Sequence, residues 1–257
     1  MLINKEYRIL KKMHYLSDQQ GIMDRYLKES NGWALHLENT KQAIIQSAET
    51  KQKGYCAVLG SGWLLDVPIE YLSQNFKKVF LFDIIHPTQI KHKMQKLHNV
   101  ELIELDITGG GINEFYRSVQ IFKSSKQRKE LSQFQFTGFH YTVPFDFVIS
   151  VNILNQLDIL LIDYIKEYNL YTEDELMELR KALQKKHIGT LPSGKTCLIT
   201  DFEELIFDNN NNLEKSSPLV HVTLPKDKII AEWQWQFDHH HYVPGKNVVF
   251  NVIAVNL

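Results

Sequence analysis

The stretch CAVLGSGWLLDVPIEYL, residues 56–72, decides the fold. An apolar run is followed by two glycines, Gly60 and Gly62, and then by mixed polar and apolar residues. This order predicts a buried strand, a tight turn and a helix. Asp66 is placed to cap that helix, and Pro68 is expected in its first turn. A strand that enters a helix through glycines presents backbone amides and a helix N-terminus, which suits a nucleotide-like ligand.

The composition excludes several classes of protein. The chain has 257 residues with 44% hydrophobic content, enough for a large core, and its 29 basic residues nearly balance its 30 acidic ones. We therefore expect no nucleic-acid partner. The first residues lack the apolar core of a signal peptide, and no stretch has the length of a membrane span, so we expect a cytoplasmic protein without a membrane partner. Cys56 and Cys197 lie in apolar runs and are expected to be buried structural thiols.

Apolar runs of strand length alternate with helix-length segments along the chain. After the first strand they are KVFLFD (78–83), VELIELD (100–106), FDFVISV (145–151) and KTCLITDFEE (195–204). This alternation predicts parallel strands joined by right-handed crossovers, hence a doubly wound α/β sheet. The last two apolar runs, 229–237 and 247–257, are joined by a short turn and must pair as an antiparallel hairpin.

Three helical regions carry clear signals. Residues 17–48 have a helical pattern, in which Gly32 is expected to separate two helices. A further helix is expected at 112–121. The helix that starts near residue 173 should begin with a capping box of Thr172 and Glu175 and close at Gly189.

Three local features follow successive strands: LGSG at 59–62, Asp83 at the end of the second run and Asp106 at the end of the third. Together with the strand-helix units and the terminal hairpin, they resemble the class I S-adenosylmethionine-dependent methyltransferases. The resemblance covers about residues 55–257 and implies a mainly parallel seven-stranded sheet. We expect residues 1–52 to form a helical segment packed on or over a Rossmann-like domain at 53–257.

The resemblance implies that the cofactor is S-adenosyl-L-methionine. In the family the glycine turn lies against the methionine part, the acid after the second strand accepts the ribose hydroxyls, and the acid after the third lies near the adenine. The positions so implied as cofactor-binding are Leu59, Gly60, Ser61, Gly62, Asp83, Ile84, Asp106, Ile107, Ser150 and Val151. The chain departs from the family pattern at Val58, where the family carries an acid, and at Leu64, where it carries a third glycine.

The residue chemistry supports a nucleoside site but leaves alternatives open. A carboxylate at the carboxyl end of a parallel strand lies where open α/β sheets bind ligands, and it can accept both ribose hydroxyls. Either aspartate could instead cap the helix that follows it. A dinucleotide site would also use Asp83, but its third glycine would fall at Leu65. Binding of the cofactor without methyl transfer, or transfer of its aminocarboxypropyl group, also remains open.

Methyl transfer requires positioning more than a fixed catalytic group, so the acceptor is predicted only as a small molecule. The candidate catalytic residues are Asn152, after the fourth strand, and Asp201, after the fifth. The other possible bases by position are Glu203, His140 and Tyr141. No Asn-Pro-Pro-Tyr signature follows the fourth strand, which disfavours DNA and glutamine amino groups as acceptors. The oligomeric state stays open.

Three groups of aromatic and histidine residues lie outside the cofactor motifs. The run at 239–241, HHH, suggests a metal, but neighbouring residues of an extended segment point to alternating sides, and we predict no metal site. A histidine of this run that lines the acceptor pocket is favoured. Trp233 and Trp235 share a strand face and are expected in the core. Tyr26, Trp33 and His36 of the N-terminal helices are candidates for a lid over the acceptor.

Overall fold

The computed structural model describes residues 5–239 and 241–257, and its centre is one eight-stranded sheet. The strands are Tyr55–Leu59 (β1), Lys78–Asp83 (β2), Val100–Glu104 (β3), Phe147–Val151 (β4), Thr196–Phe207 (β5), Leu213–Pro218 (β6), Ile229–His239 (β7) and Asn247–Asn256 (β8). Their order is β3-β2-β1-β4-β5-β8-β7, with β6 added to β5. The first five strands are parallel, and β8 runs antiparallel to both β5 and β7. The predicted mainly parallel sheet with a C-terminal hairpin is confirmed.

Helices cover both faces of this sheet. They are Lys5–Lys12 (α1), Tyr15–Glu49 (α2), Ile69–Asn75 (α3), Thr88–Met94 (α4), Gly111–Ser125 (α5), Ile159–Lys166 (α6) and Glu173–Thr190 (α7). Side chains of β1 alternate between two cores, with Cys56 and Val58 packed among residues of α2, α3 and α4, and Ala57 and Leu59 on the opposite face. The doubly wound arrangement therefore follows from strands that are apolar on both sides.

The strand β6 was not predicted from the sequence. It is exposed and polar, and it pairs antiparallel with the extension of β5 beyond Glu203. We expected the fifth strand to end at its carboxylates, whereas β5 continues to Phe207. An exposed edge strand without apolar alternation offers no side-chain pattern from which to predict it.

Gly32 does not separate two helices, contrary to the prediction. The break in α2 lies three residues earlier, at Glu29, where the backbone leaves helical angles (φ −109°, ψ 19°) and two helical segments meet in a kink. A Cβ atom on Gly32 would lie 2.8 Å from the carbonyl oxygen of Gln236 on β7. The glycine therefore allows the helix to approach the hairpin closely, which a pattern along one helix cannot reveal.

Two helix-end predictions are wrong and one is confirmed. The N-cap of α3 is Pro68, and Asp66 does not cap this helix. Helix α7 runs through Gly189 to Thr190. Its capping box is present, because the Glu175 amide donates to Thr172 Oγ1 at 3.3 Å and the Thr172 amide donates to Glu175 Oε2 at 2.9 Å.

The N-terminal helix α2 lies against the C-terminal hairpin. Trp33 of α2 is buried and donates from Nε1 to the carbonyl oxygen of Phe237 on β7 at 2.8 Å. A domain boundary between residues 52 and 53 stays a prediction, and the first four residues of that segment lie outside the described ones. Cys56 and Cys197 are both buried and unpaired, as predicted. Within the described part of the chain, no helix is long and apolar enough to cross a membrane.

Candidate functional site

The turn after β1 requires its two glycines. Gly60 and Gly62 have φ angles of +83° and +41°, and a Cβ atom on Gly60 would lie 2.9 Å from the carbonyl oxygen of Val151 on β4. Leu64 also adopts a left-handed conformation, with φ +55°, at the position where the resembled family carries glycine. Its side chain is buried in the core, so apolar burial compensates for the backbone strain.

Asp83 ends β2 beside this turn. Its Oδ2 accepts the Gly62 amide at 2.7 Å, and its Oδ1 accepts the Ile84 amide at 2.8 Å. Removal of the carboxylate from water raises its pKa to about 6, although backbone amides, that of Ile85 among them, oppose the shift. A carboxylate has about four acceptor positions. Asp83 therefore holds the glycine turn in place and keeps capacity for a further donor.

Asp106, after β3, is occupied by internal contacts. Its Oδ1 accepts the Thr108 amide at 2.9 Å and the Thr108 hydroxyl, and its Oδ2 accepts the amides of Gly110 and Ile112, both at 3.2 Å. These amides lie at the N-terminus of α5. The helix-capping role that the sequence left open is thus present, and all four acceptor positions of this carboxylate are used.

A cavity of about 320 Å³ opens at the carboxyl ends of β1 to β4, between the sheet and α2. Most of the positions implied as cofactor-binding line it: Gly60, Ser61, Gly62, Asp83, Ile84, Asp106, Ile107 and Val151. Leu59 and Ser150 do not. Both are fully buried, and Ser150 Oγ shares a 2.8 Å hydrogen bond with His187 Nε2 beneath the site. Alternate strand residues face opposite sides, which explains why these two point away.

Asn152 and Asp66 meet on the far wall of the cavity. Asn152 has a left-handed conformation, φ +48°, and its Nδ2 donates to Asp66 Oδ2 at 2.7 Å. Burial raises the pKa of Asp66. The asparagine therefore forms the turn after β4 and also lines the cavity, and its role near an acceptor stays a prediction.

His36 has a defined tautomer. Indole nitrogen only donates, and Trp233 Nε1 lies 3.1 Å from His36 Nδ1, so the proton of the imidazole is on Nε2. The ring stacks on Trp235 with centroids 3.9 Å apart. Burial lowers the pKa of His36 to about 3. The imidazole is therefore neutral and not a base at neutral pH, and its Nε2 lies 3.4 Å from Asn152 Nδ2 on the same wall.

Asp201 is the buried carboxylate of the same wall. Its Oδ2 accepts Asn155 Nδ2 at 2.7 Å, and its Oδ1 has no partner. Burial raises the pKa of Asp201 to about 6, and the negative charge of Asp66 adds to the shift. A carboxylate with a raised pKa and a free oxygen on a cavity wall has the properties of a general base.

The other possible bases lie elsewhere. Glu203 accepts hydrogen bonds from Ser216 and Asn251 on neighbouring strands. His140 is exposed, and Tyr141 packs its ring against Phe82 in the core of the opposite face. None of these three candidates is among the residues that line the cavity.

The lid side of the cavity is partly as expected. Trp33 and His36 line it, whereas Tyr26 packs against Trp33 behind the wall. Trp235 is both core and lining residue. Arg25 was not predicted from the sequence; its guanidinium lies 4.7 Å from the ring centre of Phe237 and pairs with Asp238 at 3.5 Å. A pairing across some 200 residues leaves no signal in the sequence.

His239 and His241, the described histidines of the 239–241 run, contact Glu29 of α2. His239 Nδ1 lies 2.7 Å from Glu29 Oε2, and His241 Nδ1 lies 3.3 Å from Glu29 Oε1. Neither histidine lines the cavity, contrary to the expectation, and His240 lies outside the described residues. Ligand-type atoms of Glu29, Asp238 and His241 lie within 4.8 Å of one another. These contacts connect the α2 kink to the hairpin, and the absence of a metal stays a prediction.

No protein-family model matches the chain, and no curated protein matches it by sequence. Solved structures similar to it include the N-methyltransferase NodS from Bradyrhizobium japonicum with S-adenosylhomocysteine, at 11% identity and TM-score 0.34, covering 86% of this chain and 87% of that one. A second is 1,6-didemethyltoxoflavin-N1-methyltransferase from Burkholderia thailandensis, at 10% identity and TM-score 0.41, covering 100% and 92%. A third is phosphoethanolamine N-methyltransferase 1 from Haemonchus contortus, at 11% identity and TM-score 0.36, covering 99% and 50%. At this distance they do not bear on the activity of this chain.

Proposed function

We propose that the protein binds S-adenosyl-L-methionine and transfers its methyl group to a small-molecule acceptor. The observation that carries the proposal is one cavity that joins the glycine turn and Asp83 to a buried polar wall built by Asp66, Asn152 and Asp201. A nucleoside cofactor and an acceptor must share one enclosed space, because the methyl group passes directly between them.

The residues at the glycine turn fit the cofactor. Gly60 and Gly62 keep the turn close to the sheet, and Asp83 retains acceptor capacity beside them for a ribose hydroxyl. Asp106 acts through α5, since its oxygens already hold the first amides of that helix. We therefore assign direct cofactor binding to Asp83 and a positioning role to Asp106.

The far wall would receive the acceptor. Bound S-adenosyl-L-methionine supplies an electrophilic methyl group on a positively charged sulfur. The chain then has to exclude water, orient the acceptor and remove a proton where the acceptor carries one. Asp201 has the free oxygen for the proton, while His36, whose pKa burial lowers to about 3, does not take it at neutral pH.

A second candidate function is cofactor binding without transfer. Its support is the departure at Val58, which is fully buried in the core where the family carries an acid. The cofactor would then lack one of the polar contacts that the family provides. A binding measurement and a transfer measurement separate the two functions.

Titration calorimetry with S-adenosylmethionine and S-adenosylhomocysteine tests the proposal. Both should bind, and Asp83→Asn should weaken binding by about 10- to 100-fold, since hydrogen bonds to a charged group contribute about 1.5–3 kcal/mol. Glu104→Gln is the matched control, because Glu104 ends the neighbouring strand, pairs with Lys91 and does not line the cavity.

The outcomes are distinct. No heat with either compound would contradict the whole proposal. Binding of both, with no S-adenosylhomocysteine formed from S-adenosylmethionine across a library of small metabolites, would favour the second function. Equal weakening by Asp83→Asn and Glu104→Gln would show that Asp83 has no direct contact with the cofactor.

A further inference from the structure

Buried polar atoms without a partner collect on the far wall of the cavity. Among the described residues that line it, Asn152 Oδ1, Asp201 Oδ1 and Trp235 Nε1 are buried and make no hydrogen bond. Buried polar atoms are nearly always hydrogen-bonded, so unpartnered atoms of residues on a cavity wall indicate a ligand group that forms the missing hydrogen bonds. Two of the three are oxygens that accept, which calls for a ligand with at least two donor hydrogens.

The charge of the same cavity is strongly one-sided. Its described lining residues include five aspartates and one arginine: Asp18, Asp66, Asp83, Asp106, Asp201 and Arg25. Arg25 is already committed to Asp238 and to the rings of Phe237 and Tyr242. Negative charge enclosed with little compensation favours a cationic ligand.

The cationic sulfur of the cofactor does not meet these requirements. A sulfonium has no hydrogen to donate, and the ammonium group of the cofactor belongs to the methionine part, which the resemblance places against the glycine turn after β1. Asp201 also lies on β5, which is separated from β1 and its glycine turn by β4. Neighbouring strands are about 4.8 Å apart, which puts the β5 backbone about 10 Å from the β1 backbone. A second cation, on the acceptor, fits this wall.

Aromatic rings enclose the wall and suit the rest of such a ligand. Trp33, Phe237 and Phe250 line the cavity next to Trp235, and Trp33 meets Trp235 edge to face with centroids 4.7 Å apart. Such rings attract cations through their faces and also bury carbon substituents. The wall thus combines two unpartnered oxygens, which can accept N–H groups, with apolar surroundings.

We propose that the methyl acceptor is an amine, which enters as the ammonium ion, is held by Asp201 Oδ1 and Asn152 Oδ1, and gives its proton to Asp201. This inference rests on the proposed function. An alcohol offers one donor hydrogen and no charge, and a carboxylic acid would meet two aspartates of like charge. A protonated amine is the acceptor class that donates a hydrogen bond to each of the two oxygens and balances the negative charge of the wall.

The step balances in atoms and charge. Asp201 takes one proton from R–NH₃⁺, which leaves R–NH₂ with its lone pair and a neutral carboxyl group. The lone pair forms the new N–C bond, the C–S bond breaks, and its electron pair stays on sulfur as the neutral thioether S-adenosylhomocysteine. The product is R–NH₂⁺–CH₃, and the proton on Asp201 returns to solvent when the product leaves.

Matched probes test the amine assignment. Primary amines from ethylamine to 2-phenylethylamine and tryptamine, and the alcohol of the same skeleton in each case, are titrated into the full chain saturated with S-adenosylhomocysteine. We expect at least one amine to bind tenfold or more tightly than its alcohol. Asp201→Asn should reduce that ratio to about twofold and leave the affinity for S-adenosylhomocysteine unchanged. Glu203→Gln, on the same strand but outside the cavity, should change neither.

The results separate this inference from the proposed function. If S-adenosylhomocysteine binds but no amine binds, or if the alcohols bind as well as the amines, the amine assignment is overturned and the proposed function stands. If Asp201→Asn weakens S-adenosylhomocysteine binding as much as amine binding, Asp201 belongs to the cofactor site and the assignment is overturned as well. Should Asp201→Asn fail to fold, Asp66→Asn is measured in its place with the same expected loss of preference.

Discussion

Replacement of Asp201 by asparagine should stabilise the protein at alkaline pH. The side chain is 2% exposed, and its pKa rises from 3.8 to about 6 because burial and the charge of Asp66 disfavour ionisation. The folded chain therefore binds this proton more tightly than the unfolded chain does, and the free energy of unfolding falls as the pH rises through this range. Asparagine stays neutral and removes the penalty.

The magnitude follows from the shift. About two pKa units correspond to about 3 kcal/mol when the group is fully ionised. At pH 8 the variant should gain that amount relative to the wild type, whereas at pH 4 the gain should be below about 1 kcal/mol. The new amide group places a donor where Oδ1 had no partner, which adds a cost that does not depend on pH. The change between the two pH values is thus the quantity to measure.

Urea unfolding at pH 4, 6 and 8, followed by the fluorescence of the four tryptophans, measures this change. The variant must be compared with the wild type at each pH, because other acids with raised pKa values, such as Asp83 and Asp66, also make the free energy of unfolding depend on pH. Asp208→Asn is the control of opposite sign, since hydrogen bonds from Asn212 lower the pKa of that exposed carboxylate. A stability difference for Asp201→Asn that is equal at pH 4 and pH 8 would refute the reasoning.

Three further substitutions test the turn and the core. Gly60→Ala should lower the melting temperature and abolish calorimetric cofactor binding, because its Cβ would press on the Val151 carbonyl; unchanged binding would contradict this. Leu64→Gly should destabilise the chain by about 1–3 kcal/mol in urea, since the lost burial costs about 2–5 kcal/mol and the relieved backbone strain returns about 1–2 kcal/mol. A stabilised variant would show that the strain exceeds the contribution of burial. Thr172→Ala should cost about 1 kcal/mol in the same assay through loss of the cap, and an unchanged midpoint would show that the cap contributes nothing.

The glycine turn and the carboxylates after successive strands were predictable because they are local. Gly60 and Gly62 are needed because the backbone of one strand-turn-helix unit requires positive φ angles there. Strands can be recognised within a few residues, because their side chains are either alternately apolar or apolar throughout. The parallel order of the first strands followed from the alternation of strands and helices. The spacing of Asp83 after Gly62 was enough to place both at one edge of the sheet.

Predictions failed where a partner distant in sequence decides the role of a residue. Asp66 has the sequence position of a helix cap, yet it pairs with Asn152, 86 residues away. Gly32 has the sequence character of a helix breaker, yet it is a point of contact with β7. The polar strand β6 forms because the extended β5 offers it backbone hydrogen bonds, which no side-chain pattern records.

The sequence by itself determined the doubly wound sheet, the terminal hairpin and the turn that could hold a nucleoside, because backbone preference and hydrophobic periodicity act over short distances. Only the tertiary structure decided that the oxygens of Asp106 bind the amides of the helix that follows it, that Trp233 donates to His36 Nδ1, and that Asp201 keeps a free oxygen in a buried, negative wall. These properties depend on which groups share a hydrogen-bonding partner and how far water is excluded, and both are set by the packing of segments that are remote along the chain.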